Sequence, residues 1–120
     1  MRRRVNRALR DRPTLSADEW FVQFWQPLDV SRQIAEFVYT QMATYTGLDF
    51  TRVRPDDRLN DDLHLALVCW FDWELSLYED FFTQFGVDLS DRFDPERYLT
   101  IKEFVLFLNQ QLLSMTLEPD

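Results

Sequence analysis

Histidine and cysteine occur once each in the 120 residues, as His64 and Cys69, and glycine only twice, as Gly47 and Gly86. A lone cysteine cannot form an internal disulfide, and one of each residue falls short of the three or four ligands a zinc site takes. A Cys–His nucleophile pair is disfavoured as well, because five residues along a helix turn the two side chains about 140° apart. Cys69 is therefore predicted to be a small buried hydrophobe. Two glycines leave few tight turns and no glycine-rich loop to cradle a phosphate. No apolar run approaches the roughly 18 residues of a membrane span. The expected compartment is the cytosol. No catalytic set, cofactor site or metal site is predicted, and the chain is not expected to be an enzyme.

What is abundant is aromatic: eleven Phe, four Trp and four Tyr. A chain of this length fits one domain that can bury a real core. The net charge of −8 hides an asymmetry. Residues 1–12 hold six arginines against Asp11, a local charge of +5, so the rest of the chain carries −13. An acidic body repels nucleic acid and anionic membrane and attracts a basic protein surface. The arginine-rich stretch could be read as a nucleic-acid arm or a signal n-region, but no apolar h-region of 7–15 residues follows it. The expectation is a disordered, dispensable basic tail over 1–14, a single helical domain over 15–116 and a short tail over 117–120.

Ser16-Ala-Asp-Glu19 has the spacing of a capping box, with Leu15 placed as a hydrophobic staple. It predicts a helix over about 17–25 carrying Trp20, Phe21, Phe24 and Trp25, stopped by Pro27. Asp29 or Ser31 then caps a second helix to about Thr46, with Gly47 just past its end. Ile34, Val38, Met42 and Tyr45 recur at helical intervals as its buried stripe. Residues 48–62 read as a long loop pinned by Phe50, Val53 and Leu59. A third helix is predicted from Asp61 or Asp62 to just before Gly86, with Leu67, Phe71, Leu75, Tyr78, Phe81, Phe82 and Phe85 on one arc. Asp94-Pro95-Glu96-Arg97-Tyr98 suggests a single turn. Thr100-Ile-Lys-Glu103 is a second capping box, opening a last helix to about Met115 that buries Ile101, Phe104, Val105, Leu108 and Leu112. Period-two alternation is nowhere convincing, so the predicted fold class is all-α.

The order of long helix, long loop, long helix, short turn and capped final helix resembles the acyl carrier protein family over about residues 30–115. Three pieces carry the resemblance: Pro55-Asp-Asp-Arg-Leu-Asn-Asp-Asp-Leu63, Phe85-Gly-Val-Asp-Leu89, and Thr100-Ile-Lys-Glu-Phe-Val105. It is also similar to short bacterial carrier-like proteins known only as a domain of unknown function. The resemblance implies an acyl-carrier-like bundle, with the helix over 17–25 as an extra N-terminal element. In carriers the Asp-Leu is followed by glycine and then by the serine that takes the phosphopantetheine arm. His64 stands where the glycine belongs. Counting forward from Asp62 puts Leu67 at the serine position, and counting back from Phe85 puts Phe71 there. Neither has a hydroxyl, so the carrier activity is not carried over.

The adjacent acid pairs Asp56/Asp57 and Asp61/Asp62 read as caps and dipole partners rather than as a metal cluster. Glu74 falls in the middle of the expected apolar arc, where a neutralising arginine or a shifted register is the common explanation. Trp73 falls on the opposite, polar side, beside Asp72, Glu79 and Asp80. An exposed tryptophan ringed by charge has the look of an interface hot spot. These four residues are the predicted partner-binding site, and the predicted function is a non-enzymatic, carrier-like module, monomeric or weakly dimeric, that binds a basic protein surface. Two alternatives stay open: a carrier modified at an unrecognised serine such as Ser76, and an acidic inhibitor or immunity-type protein. Leu106 and Leu113 form a second apolar line on the last helix, which the helix over 17–25 is expected to cover.

Overall fold

The Ser16 hydroxyl accepts from the Glu19 N–H at 3.2 Å, and the Glu19 carboxylate accepts from the Ser16 N–H at 3.0 Å, closing the capping box. From it runs α2, Ala17–Trp20, continuing as a π-helical turn over Phe21–Trp25 and a 3₁₀ turn over Gln26–Leu28. The computed structural model describes residues 1–69, 72–94 and 97–117. Before α2 lies α1, Arg2–Leu9; after it come α3, Arg32–Thr46, a 3₁₀ turn at Phe50–Arg52, α4, Leu65–Val68, α5, Trp73–Phe85, and α6, Ile101–Leu117. Among the described residues there is no strand, only an isolated antiparallel bridge between Arg58 and Thr100. The fold class is all-α.

The π turn shapes what α2 buries. A ring closed from residue i to i+5 brings the later residue back beneath the earlier one. Trp20 and Trp25, which an α-helix would splay apart, are both fully buried, their rings 5.3 Å apart edge to face. The Trp20 indole donates to the Val53 carbonyl at 2.9 Å, tying the long loop to this element. The helix over 17–25 is thus packed into the core, but against α3. Leu106 and Leu113 stay exposed, so the expected cover over them is not there.

α3 follows its sequence pattern. Ser31 caps it by accepting from the Gln33 N–H, and Gly47 ends it in the left-handed conformation, φ 70°. Ile34, Val38, Met42 and Tyr45 are all buried, as are Phe50, Val53 and Leu59 from the loop. On α6 the Thr100 hydroxyl accepts from the Glu103 N–H at 3.2 Å, and Ile101, Phe104, Val105 and Leu108 are buried. Asn109, the next residue, is buried too and accepts from the Ser31 N–H at 2.9 Å, joining the middle of α6 to the start of α3. Of the expected turn at 94–98, Pro95 and Glu96 lie outside the described residues, as do 118–120 of the expected C-terminal tail.

Two expectations are corrected. Residues 1–12 are not a disordered tail. Val5 and Leu9 are each only 3 % exposed and belong to the core, a burial of about 1.5–3 kcal/mol for a large apolar side chain. Arg2 donates to the carbonyls of Thr46 (2.7 Å) and Val68 (2.9 Å), supplying partners at the C-terminal ends of α3 and α4, where carbonyls are left over. Charge composition alone concealed this, because the arginines sit around a two-residue apolar seam. The third helix, in turn, is not continuous. His64 is left-handed (φ 54°) at the start of α4, and Cys69 is extended (ψ 156°) at its end. The break frees α5 to choose its own rotation.

Candidate functional site

α5 and the residue just before it, Asp72, carry the predicted partner site, and the rotation of the helix decides the outcome. Two apolar stripes compete in this segment: Leu75, Tyr78, Phe82 and Phe85, and, turned away from it, Trp73, Leu77 and Phe81. The second is the one buried. Phe81 meets Phe37 of α3 edge to face at 5.4 Å, and Trp73 meets Phe93 at 6.1 Å. Burying an indole removes more apolar area from water than burying Leu75. Trp73 is therefore 9 % exposed, inside the protein, and the expected exposed hot spot does not exist. Asp80 is half-buried and accepts a hydrogen bond from the Tyr45 hydroxyl, which also reaches the Ser76 carbonyl at 3.4 Å. Burial, helped by that carboxylate, pushes the Tyr45 hydroxyl pKa well up. Of the four predicted residues only Asp72 and Glu79 remain on the exposed surface.

They are joined there by residues the expected arc had placed inside. Leu75 and Phe82 are each 58 % exposed. At 100° per residue Asp72, Leu75, Glu79 and Phe82 fall within an arc of about 80° on the side of α5 opposite Leu77 and Phe81. Leu67 on α4 is 66 % exposed, and Phe71 lies outside the described residues. The signal for this face was in the sequence as the spacing of Trp73, Leu77 and Phe81, four residues each, which assuming one long helix obscured.

Asp57 and Asp62 are structural. Asp57 is buried and takes two hydrogen bonds from Arg12, at 2.6 and 2.8 Å, and one from the Arg54 N–H at 2.7 Å. Asp62 accepts from the Arg58 backbone and guanidinium, which hold its pKa below the usual carboxylate range. Among the described residues no group of three or more His, Cys, Asp or Glu could hold a metal ion. Burial pushes the Cys69 thiol up to about 12, Arg2 opposing and Glu74 adding to the effect. A neutral thiol is a poor nucleophile.

Glu74 lies on the inner side of α5, at the edge of a cavity of about 210 Å³. α3 contributes Met42, the long loop Leu59 and Asn60, α4 Leu65 and Ala66, and α5 Trp73; Phe93 and Phe104 line it as well. The cavity lies beside the break between α4 and α5, which no periodicity argument anticipated. Among the described residues no helix is long and apolar enough to cross a membrane. Comparisons with protein-family models, with curated proteins and with solved structures find no match for this chain.

Proposed function

We propose that this chain is a non-enzymatic, acyl-carrier-like module that binds a basic amphipathic helix of a partner protein through the outer face of α5. The reading rests above all on Leu75 and Phe82, two large apolar side chains 58 % exposed on one helix face with the carboxylates of Asp72 and Glu79. Apolar anchors spaced over two turns suit a helix laid alongside, and the acids at the same face select Lys and Arg over Asp and Glu. The charge of −13 carried outside residues 1–12 steers such a partner from a distance. The acyl-carrier-like part is supported by the order of α3, long loop, α5 and capped α6, and by His64. Its left-handed backbone is the one that favours glycine, the residue carriers have there. Leu67 lacks a hydroxyl, so no phosphopantetheine attachment is assigned.

Fluorescence anisotropy with synthetic helices tests the reading. A basic amphipathic peptide should bind, an acidic one of equal hydrophobicity should not, and affinity should fall as salt rises. Phe82→Ala should weaken binding about tenfold, the scale of a modest hot spot, and Glu79→Lys should weaken it further while leaving the melting temperature in place. Binding indifferent to both substitutions would exclude this face. Concentration-dependent dimerisation abolished by Phe82→Ala would assign the face to a second copy instead.

A further inference from the structure

The cavity beside the α4–α5 break combines three properties. It is walled mainly by apolar and aromatic side chains, Trp73 and Phe93 among them. It is large, at about 210 Å³; an apolar cavity of about 150 Å³ already admits benzene. And among the described residues one charged group lines it, Glu74, which sits on the core side of α5, about 100° around the helix from Trp73. Among the described residues no Lys, Arg or His forms an ion pair with Glu74: Arg2, the nearest cation to Cys69 in its electrostatic effect, is engaged with the Thr46 and Val68 carbonyls. The Glu74 carboxylate, half-buried at the edge of an apolar chamber, is thus left to pair with a cation from outside the chain.

We propose that this cavity is a binding site for a small primary ammonium with an apolar body of about six to nine carbons, the size set by comparison with the benzene-holding cavity. Glu74 accepts the charge-assisted hydrogen bonds of the ammonium. The indole of Trp73, the aromatic group best suited to a cation, lines the same cavity, as does Asn60, which offers a further polar contact. The apolar body fills the space between Leu65 and Phe104. A carboxylate or phosphate ligand would meet Glu74 with like charge and is selected against. The site is independent of the outer face of α5, because Glu74 and Glu79 project from opposite sides of that helix.

Titration followed by nuclear magnetic resonance tests it, with the Trp73 indole and Glu74 amide signals as readouts and phenethylamine, phenethyl alcohol and phenylpropionate as probes. Phenethylamine should bind at least tenfold more tightly than the alcohol, and phenylpropionate should not bind. Glu74→Gln should erase the preference for the amine over the alcohol, whereas Asp91→Asn, an exposed acid elsewhere, should leave it intact. Ala66→Phe, at an exposed position on the cavity edge, should weaken both probes together. Equal affinity for amine and alcohol, tighter binding of the carboxylate, or no saturable shift at millimolar phenethylamine would each overturn the proposal. So would an amine preference that survives Glu74→Gln.

Discussion

Arg12 reaches across to Asp57 with both of its terminal nitrogens, at 2.6 and 2.8 Å, joining the N-terminal segment to the middle of the long loop. The contact is reinforced in both directions. Arg12 also donates to the Arg52 carbonyl, and Arg52 donates back to the Arg12 carbonyl at 2.9 Å. The Asp57 side chain is 7 % exposed, so this pair is screened far less than an ordinary surface salt bridge.

Removing the guanidinium should therefore be felt in stability. Arg12→Ala leaves a buried carboxylate with only the Arg54 N–H, and a loss of about 1–3 kcal/mol is expected. Deleting residues 1–12 also removes Val5 and Leu9 from the core and should cost about 3 kcal/mol or more. That is a large part of the roughly 5–15 kcal/mol that holds a domain together. Urea unfolding of the three proteins measures both. A truncated protein with the parent midpoint would return this segment to the role of a tail.

Two left-handed positions should respond with opposite signs. Gly47 has φ 70°, and a Cβ built there would lie 2.6 Å from the Arg2 Cδ and Nε. Gly47→Ala thus combines backbone strain of about 1–2 kcal/mol with displacement of Arg2 from the end of α3. His64 holds φ 54° without the freedom of glycine. His64→Gly relieves similar strain and gives some of it back as entropy of the unfolded chain, for a net gain of a few tenths to about 1 kcal/mol. Thermal melts of both variants decide the matter; a destabilising His64→Gly would mean the imidazole makes contacts that outweigh its backbone.

Trp20 and Trp25 meet edge to face, fully buried, yet their indoles differ. The Trp20 N–H donates to the Val53 carbonyl, whereas the buried Trp25 N–H has no hydrogen-bond partner among the described residues. An unsatisfied buried donor costs about 1–3 kcal/mol, so replacing it with an apolar group recovers part of what the smaller ring loses in packing. Trp20→Phe should be more destabilising than Trp25→Phe by about 1 kcal/mol or more. Equal losses in denaturant titrations would count against this difference.

Cys69 should behave as an inert thiol. With its pKa pushed up to about 12 by burial, only a trace of thiolate exists at pH 8, and labelling by a thiol reagent should be far slower than in urea. Raising the pH from 7 to 9 should leave the folded protein still slow. Rapid labelling of folded protein at pH 7 would show that the break between α4 and α5 opens readily.

Wherever one signal spoke alone, the sequence was sufficient. Ser16 with Glu19, Ser31, Gly47 and Thr100 with Glu103 mark their helix ends through local hydrogen bonds and backbone sterics, which need no distant partner. The stripe of α3 was legible because that helix has one apolar face; α6 buries its main stripe as well, although its second apolar line, Leu106 and Leu113, stays exposed. α5 has two, Leu75–Tyr78–Phe82 and Trp73–Leu77–Phe81, and only the neighbouring Phe37 and Phe93 rings decide which one is buried. That choice turned Trp73 from a surface anchor into a cavity wall and brought Leu75 and Phe82 outside. Likewise the arginines of residues 1–12 announce charge, while their place in the fold depends on carbonyls 44 and 66 residues away, at Thr46 and Val68. Local chemistry fixes the helix ends that carry a cap; the break between α4 and α5, and which face turns inward in the competition for buried area, are settled only when the elements meet.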